Sequence, residues 1–231
     1  MRETLDASAE GVSDPKAWAL TATDRRVLGW LGVNLLVFGH VVAFETPLWL
    51  TYAYNGLLYA IGIGVALRSP EIRDVFVLGS VAGVLEVGVD AFLVSTGSLV
   101  YPDSLPMLLG SPLYMPIAWA LVVTYFGYFG RRLDEIAGPV AATLGPAVTG
   151  MVLVGFFEYG AHYAGIWSYA IAPFAMLGHV PAFIVVAEGV MFAALYWVVR
   201  LRRPLLGGVG FAAVISVSYV GSYALFSALG G

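Results

Sequence analysis

Residues 75–95 read VFVLGSVAGVLEVGVDAFLVS. The run is long enough to cross a hydrocarbon core about 30 Å thick, which takes about 20 helical residues. It nevertheless carries two acids, Glu86 and Asp90, four residues apart. Six further runs of this length flank it, at about 27–44, 48–67, 112–130, 140–163, 181–200 and 207–229. The expected fold is therefore all-α: a polytopic membrane protein of seven transmembrane helices over 27–231, preceded by a polar tail at 1–26 with no apolar core of its own.

Composition agrees. Of 231 residues 60% are hydrophobic and only 11% charged, with a mean hydropathy of +0.86, whereas soluble domains carry about 25% charged residues. There is no cysteine, so disulfides and thiolate metal sites are excluded. All eleven Lys and Arg residues fall on one side of the seven-span topology. Arg2, Lys16, Arg25 and Arg26 precede the first span, and Arg68, Arg73, Arg131, Arg132, Arg200, Arg202 and Arg203 occupy alternate connections. The positive-inside rule then puts the N-terminus in the cytoplasm, and the expected location is the cell membrane, multi-pass.

The connections on the two sides differ. The inner ones, RSPEIRD, RRLDEIAGP and RLRRPLLGG, carry Pro, Gly and Arg, which stop helices and anchor at headgroups. The outer ones, STGSLVYPDSLPMLLGSP (95–112) and AGIWSYAIAPFAMLGHV (164–180), hold only Asp103 and His179 as ionisable residues. Such apolar segments are expected to lie in the interface or fold over the outer mouth as a lid. The two regions also resemble each other. Glu86 and Asp90 precede a Gly-containing aromatic loop and Pro112, and Glu158 and His162 precede another and Pro181, which suggests a duplicated helix pair.

Ionisable residues inside membrane spans are costly and mark functional sites by default. Here they are Glu86, Asp90, Glu158, His162 and Glu188, with His40 in the first span. All lie in the middle or outer half, under the two apolar loops. Residues four apart share a helix face, so Glu86 points with Asp90 and Glu158 with His162. Two neighbouring carboxyls in a low dielectric do not both ionise readily, which leaves one as a proton donor and the other as a base. Cross-helix hydrogen bonding with Asn34, Asn55, Tyr52 and Tyr59 is the plainer use of the same groups.

Several functions are trimmed. A retinal protein needs a lysine in its last span, and Lys16 is the only lysine. Three histidines in three segments, without H-x-x-x-H or HEXXH spacing, give no metal motif. No cofactor is expected, nothing points to nucleic acid, and oligomeric state is not legible. A proton-coupled transporter or a non-catalytic lipid-binding membrane protein is the alternative to an enzyme, although the inner halves of the spans offer few polar groups for a through-path.

Glu86 followed by Thr96, Gly97 and Tyr101, and the Pro-Leu-Tyr-X-Pro-X-Ala-Trp helix start at Pro112–Trp119, resemble the small integral-membrane carotenoid and terpenoid enzymes. These are the carotenoid hydratases of the bacterioruberin pathway, the heterodimer-type lycopene cyclases and the seven-span meroterpenoid cyclases. The resemblance covers roughly residues 80–190. A clear Pro-X-Glu motif is missing, since Glu45-Thr46-Pro47 has the reverse order. The resemblance implies an isoprenoid substrate and proton-initiated cyclisation, hydration or isomerisation, with Glu86 as the donor and Glu158 as its counterpart. Asp90 would tune the donor, Glu158 and Glu188 would act as base or cation stabilisers, and His162 would relay protons. The chemistry also wants aromatic faces around a carbocation. Tyr101, Tyr114, Trp119, Tyr159, Trp167 and Tyr169 are the candidates.

Overall fold

The computed structural model describes residues 18–44, 46–103, 106–170 and 174–230. Arg2, Lys16, Glu45 and most of the expected tail lie outside them. Among the described residues, six helices are long and apolar enough to cross a membrane. They are α1 (Ala22–Ala43), α2 (Leu48–Arg68), α3 (Pro70–Ser95), α4 (Met115–Tyr163), α5 (Ala182–Val199) and α6 (Pro204–Gly230). Their outer faces are apolar: Leu36, Val148, Val152 and Val217 are all exposed, as lipid-facing positions would be.

The helices start and stop for local reasons. Thr21 caps α1, with its hydroxyl accepting from the Asp24 N–H while the Asp24 carboxylate accepts from the Thr21 N–H. Pro70 opens α3, a position where the missing N–H costs nothing. The expected inner connection at 68–74 therefore shrinks to Ser69, and Glu71, Arg73 and Asp74 belong to the first two turns of α3. The connection at 131–139 also differs from expectation. The chain stays helical through Ala137 and breaks at Gly138, whose φ of 80° and ψ of −178° are non-helical. A straight helix of 49 residues would run about 73 Å. Instead the arms fold back on each other: a Cβ placed on Gly130 would lie 3.4 Å from the Ala142 carbonyl oxygen and the Pro146 ring. Only glycine adopts such a φ freely, and Pro139, lacking an N–H, restarts the helix.

Two strand-and-hairpin caps replace the expected outer loops. β1 (Leu99–Val100) pairs antiparallel with β4 (Ser168–Tyr169), joining the caps. β2 (Met107–Leu108) pairs with β3 (Ser111–Pro112), and β5 (Ala175–Met176) with β6 (Val180–Pro181). The duplication is visible in backbone detail. After α3 the Ser98 N–H bonds the Leu93 carbonyl and the Gly97 N–H the Val94 carbonyl. After α4 Ile166 and Gly165 do the same with Ala161 and His162. Gly97 and Gly165, Leu109 and Leu177, and Gly110 and Gly178 all have positive φ, and each pair is 68 residues apart.

Helix packing uses small residues. Gly79 and Gly83 on α3 meet the backbone of α4 at Ala120 and Pro116, and Gly150 and Gly160 lie against Phe192 and Phe38. Gly88 has no neighbour within 4 Å of its would-be Cβ and Gly155 only Val185 at 3.9 Å, so these two do not serve close packing.

At the arginine-bearing end, buried Asp24 accepts from Tyr128 at 2.7 Å and from the Arg132 Nε at 3.2 Å, tying α1 to the first arm of α4. Asparagine keeps an oxygen for Tyr128 but loses the charge that meets Arg132, which retains Glu135 and the Ala19 carbonyl. Asp24→Asn is expected to cost about 2 kcal/mol, read as a lowered melting temperature in detergent.

Candidate functional site

The site is built from four carboxyls on three helices. Glu86 and Asp90 come from α3, Glu158 from the second arm of α4 and Glu188 from α5, and all four are buried. They are mutual neighbours. Glu86 lies against Asp90 and within electrostatic reach of Glu188, while Glu158 feels Asp90 and Glu188 feels Glu158. Of the five groups expected to converge on one pocket, the four carboxyls lie near one another and His162 does not join them.

Each carboxyl is held differently. Asp90 Oδ2 accepts from the Tyr101 hydroxyl at 2.8 Å and the Ser111 hydroxyl at 2.5 Å, so both donors come from the first cap. Glu158 Oε2 accepts from the Trp167 indole N–H at 2.6 Å, a donor of the second cap. Glu188 Oε1 accepts from the Tyr219 hydroxyl of α6, while its Oε2 has no protein partner. Glu86 Oε2 is likewise unpartnered. Burial, followed by the charge of Asp90, pushes the Tyr101 phenol well above its ordinary range. Burial and Glu158 do the same to Tyr169. Both phenols stay protonated and keep an O–H to donate towards these acids.

The 68-residue spacing of the caps corrects the register of the repeat. Asp90 matches Glu158 and Tyr101 matches Tyr169; Glu86 falls on Val154 and His162 on Val94. The pairing of Glu86 with Glu158 was thus one helical turn out.

A cavity of about 150 Å³ opens beside the cluster, walled by α1, α2, both arms of α4 and α5 and roofed by Ile166 and Trp167. Glu158, Glu188, Tyr114, Trp119 and Trp167 line it. Of its lining, Val41, Thr51, Leu58, Glu158 and Glu188 are buried, whereas Asn34, Tyr54, Trp119 and Phe157 are half-buried. The volume matches one that takes a benzene-sized guest.

Other sequence candidates stand apart from this wall. Glu86 and Asp90 sit behind it, as does Tyr101, which serves Asp90. Tyr169 neighbours Glu158 without lining the cavity. His162 does not join Glu158: its ring stacks on His179 at 3.9 Å. Tyr159 lies beside His179 and Tyr163. These residues form an outer-rim cluster, because α4 ends at Tyr163 and the Trp167 side chain fills the space above Glu158. His40 is exposed and packs on Phe44 and Tyr54. Sequence reading missed Tyr219 and Ser111. The only signal for either was a hydroxyl in an apolar setting. Among the described residues no group of three or more His, Asp or Glu is arranged to hold a metal ion.

Residues 87–229 match the family described as Domain of unknown function (DUF6989). The match spans more than half of the chain, which belongs to that family. No curated protein and no solved structure matches the chain.

Proposed function

We propose that the chain is a seven-span, multi-pass enzyme of the cell membrane that protonates an isoprenoid lipid at carbon, leading to cyclisation, hydration or isomerisation. The two arms of α4, folded back at Gly138, count as separate spans in this reading. The orientation follows from the arginine-bearing end. There Arg26 reaches the Arg68 carbonyl, Arg131 reaches the Glu71 carbonyl, and Arg131, Arg200, Arg202 and Arg203 line one groove. By the positive-inside rule that end is cytoplasmic, and the acid cavity opens in the outer half.

The carrying observation is the environment of Glu188. One of its oxygens is fixed by Tyr219, the other has no protein partner, and the residue lines an apolar, aromatic cavity. A carboxylic acid so held presents its O–H to whatever fills the cavity. On the same cavity wall, Glu158 has its Oε2 already engaged by the Trp167 indole N–H. Glu188 is therefore the donor to the substrate, a role the resemblance gave to Glu86, and Glu158 is the anion that stabilises the cation. Glu86, next to Asp90 and Glu188, returns the proton from behind.

In the chemical step the Glu188 O–H breaks and a C–H bond forms on an alkene, leaving a carbocation. Trp119 and Trp167 face it with their rings, and such faces attract cations. Glu158 then removes a proton from the adjacent carbon, or from a water that adds to the cation, and passes it back to the acid pool. The cavity is too small for a whole carotenoid; it takes one end of a chain whose remainder lies in the lipid beside α1 and α2.

The test is turnover in heavy water. Cells or vesicles carrying the protein are fed isoprenoid precursors in D2O, and extracted lipids are compared with a vector control by mass spectrometry. The expected result is a new product with one carbon-bound deuterium per protonation. An unchanged profile, or a product without carbon-bound deuterium, sinks the proposal and leaves a non-catalytic lipid carrier.

A further inference from the structure

We infer that the cavity selects an oxygen-bearing, neutral isoprenoid, an alcohol or carbonyl compound, over the hydrocarbon of the same chain, and that Tyr114 and Thr51 hold its oxygen. This rests on the isoprenoid reading above and narrows its substrate class.

Buried polar side-chain atoms almost always have a hydrogen-bond partner. Among the described residues six buried side-chain oxygens lack one, and three of these belong to residues of this single cavity: Thr51 Oγ1, Tyr114 OH and Glu188 Oε2. Their residues are at most 7% exposed. A site made for a hydrocarbon would gain nothing from such atoms, since a buried hydroxyl without a partner costs free energy. Phenylalanine and valine would fill the same space.

Tyr114 and Thr51 line the same cavity. Tyr114 immediately precedes α4, and its ring packs edge-on against Tyr52 at 5.1 Å. Tyr52 is fixed in turn through its hydroxyl, which donates to the Pro106 carbonyl at 2.9 Å. Thr51 precedes Tyr52 on α2. Glu188 is deeper, at the level of Trp119, whose ring meets the Tyr219 that holds Glu188. The five residues from Tyr114 to Trp119 correspond to about 7 Å along the axis. A ligand oxygen at the outer end therefore leaves the reacting carbon one short segment further in, beside Glu188.

The oxygen belongs to a neutral group. No Lys or Arg lines the cavity, and two carboxyls do, so a phosphate or carboxylate head would find repulsion and no counter-ion.

The experiment titrates the detergent-purified full chain with farnesol and separately with farnesene, following tryptophan fluorescence, to which Trp119 and Trp167 contribute from the cavity wall. Farnesol is expected to bind about ten-fold more tightly, the worth of one well-made hydrogen bond. Tyr114→Phe and Thr51→Val each reduce that preference several-fold while farnesene binding stays unchanged. Both substitutions remove an unpartnered hydroxyl, so an unchanged or raised melting temperature verifies the fold of each variant. Equal binding of the two probes, no binding of either, or a preference that survives in both variants overturns the inference. The outcome is separable from that of the acid chemistry. A hydrocarbon that is bound equally and still gains deuterium leaves the catalysis standing without the oxygen pocket. Selective farnesol binding without any deuterated product leaves the pocket without the catalysis.

Discussion

Glu188→Gln lowers product formation at least 100-fold while lipid binding in the cavity stays within a few-fold of the parent protein. General acid groups typically contribute 10²–10⁴-fold, and this one has no substitute at the same place. Asp90 is engaged by Tyr101 and Ser111, and Glu158 is engaged by Trp167 and is the anion of the proposed chemistry. Glutamine has the same size, and its carbonyl can still accept from Tyr219, so the α5–α6 contact survives. What disappears is the exchangeable acidic proton at the unpartnered Oε2. Glu158→Gln is the informative companion. It removes the counter-charge but leaves the donor, and slows turnover less than Glu188→Gln does. Glu86→Gln slows only the return of the proton. If Glu86→Gln alone silences the enzyme and Glu188→Gln does not, the donor assignment falls back to the residue that the family resemblance favoured. Turnover by extracted-lipid mass spectrometry and binding by tryptophan fluorescence separate these cases.

Some of this site is written in the sequence and some is not. An acid in a long apolar run is legible because the cost of burying it is independent of its neighbours. Glu86, Asp90, Glu158 and Glu188 were therefore found, and their common depth foretold the cluster. Which of them faces the cavity depends on how α1 and α2 lean on α4, and nothing in residues 75–95 encodes that. The i, i+4 rule placed His162 with Glu158, but it fixes only a shared helix face. At the last turn of α4 that face already lies above the roof, and His162 finds His179 instead. The repeat was visible yet misregistered, because the two acidic patterns aligned by residue type. The better signal was the glycines: Gly97 with Gly165 and Gly110 with Gly178 mark positive-φ positions, which the backbone constrains more strictly than an acid constrains its helix turn. In the same way Gly138 and Pro139 looked like an ordinary loop and proved to be a one-residue break between helical arms.

Gly83→Leu yields no folded protein, and Gly83→Ala, the smallest change available, costs about 3 kcal/mol, at the upper end of ordinary overpacking penalties. A Cβ at this position would lie 2.3 Å from the Pro116 carbonyl oxygen and 2.9 Å from the Ala120 nitrogen. Both are backbone atoms of α4, so no rotamer change relieves the clash, and the helices must separate. Gly79, one turn earlier, meets the Ala120 carbonyl oxygen at 2.7 Å, so the two glycines form a Gly-x-x-x-Gly contact in which small residues let backbones approach. The consequence reaches the site. Gly83 is three residues before Glu86 and seven before Asp90, and Pro116 and Ala120 flank the cavity residue Trp119. Separating α3 from α4 pulls Asp90 away from Ser111, which lies just before α4, and loosens the carboxyl cluster. Activity in Gly83→Ala therefore falls further than its loss of stability alone requires. Gly88→Ala is the control on the same helix. Position 88 is exposed, nothing lies within 4 Å of the added methyl, and alanine is the better helix former. Melting temperature in detergent at or above that of the parent for Gly88→Ala, against a fall of many degrees for Gly83→Ala, is the expected pair. Equal stability of the two variants would mean that α3 and α4 do not meet at Gly83.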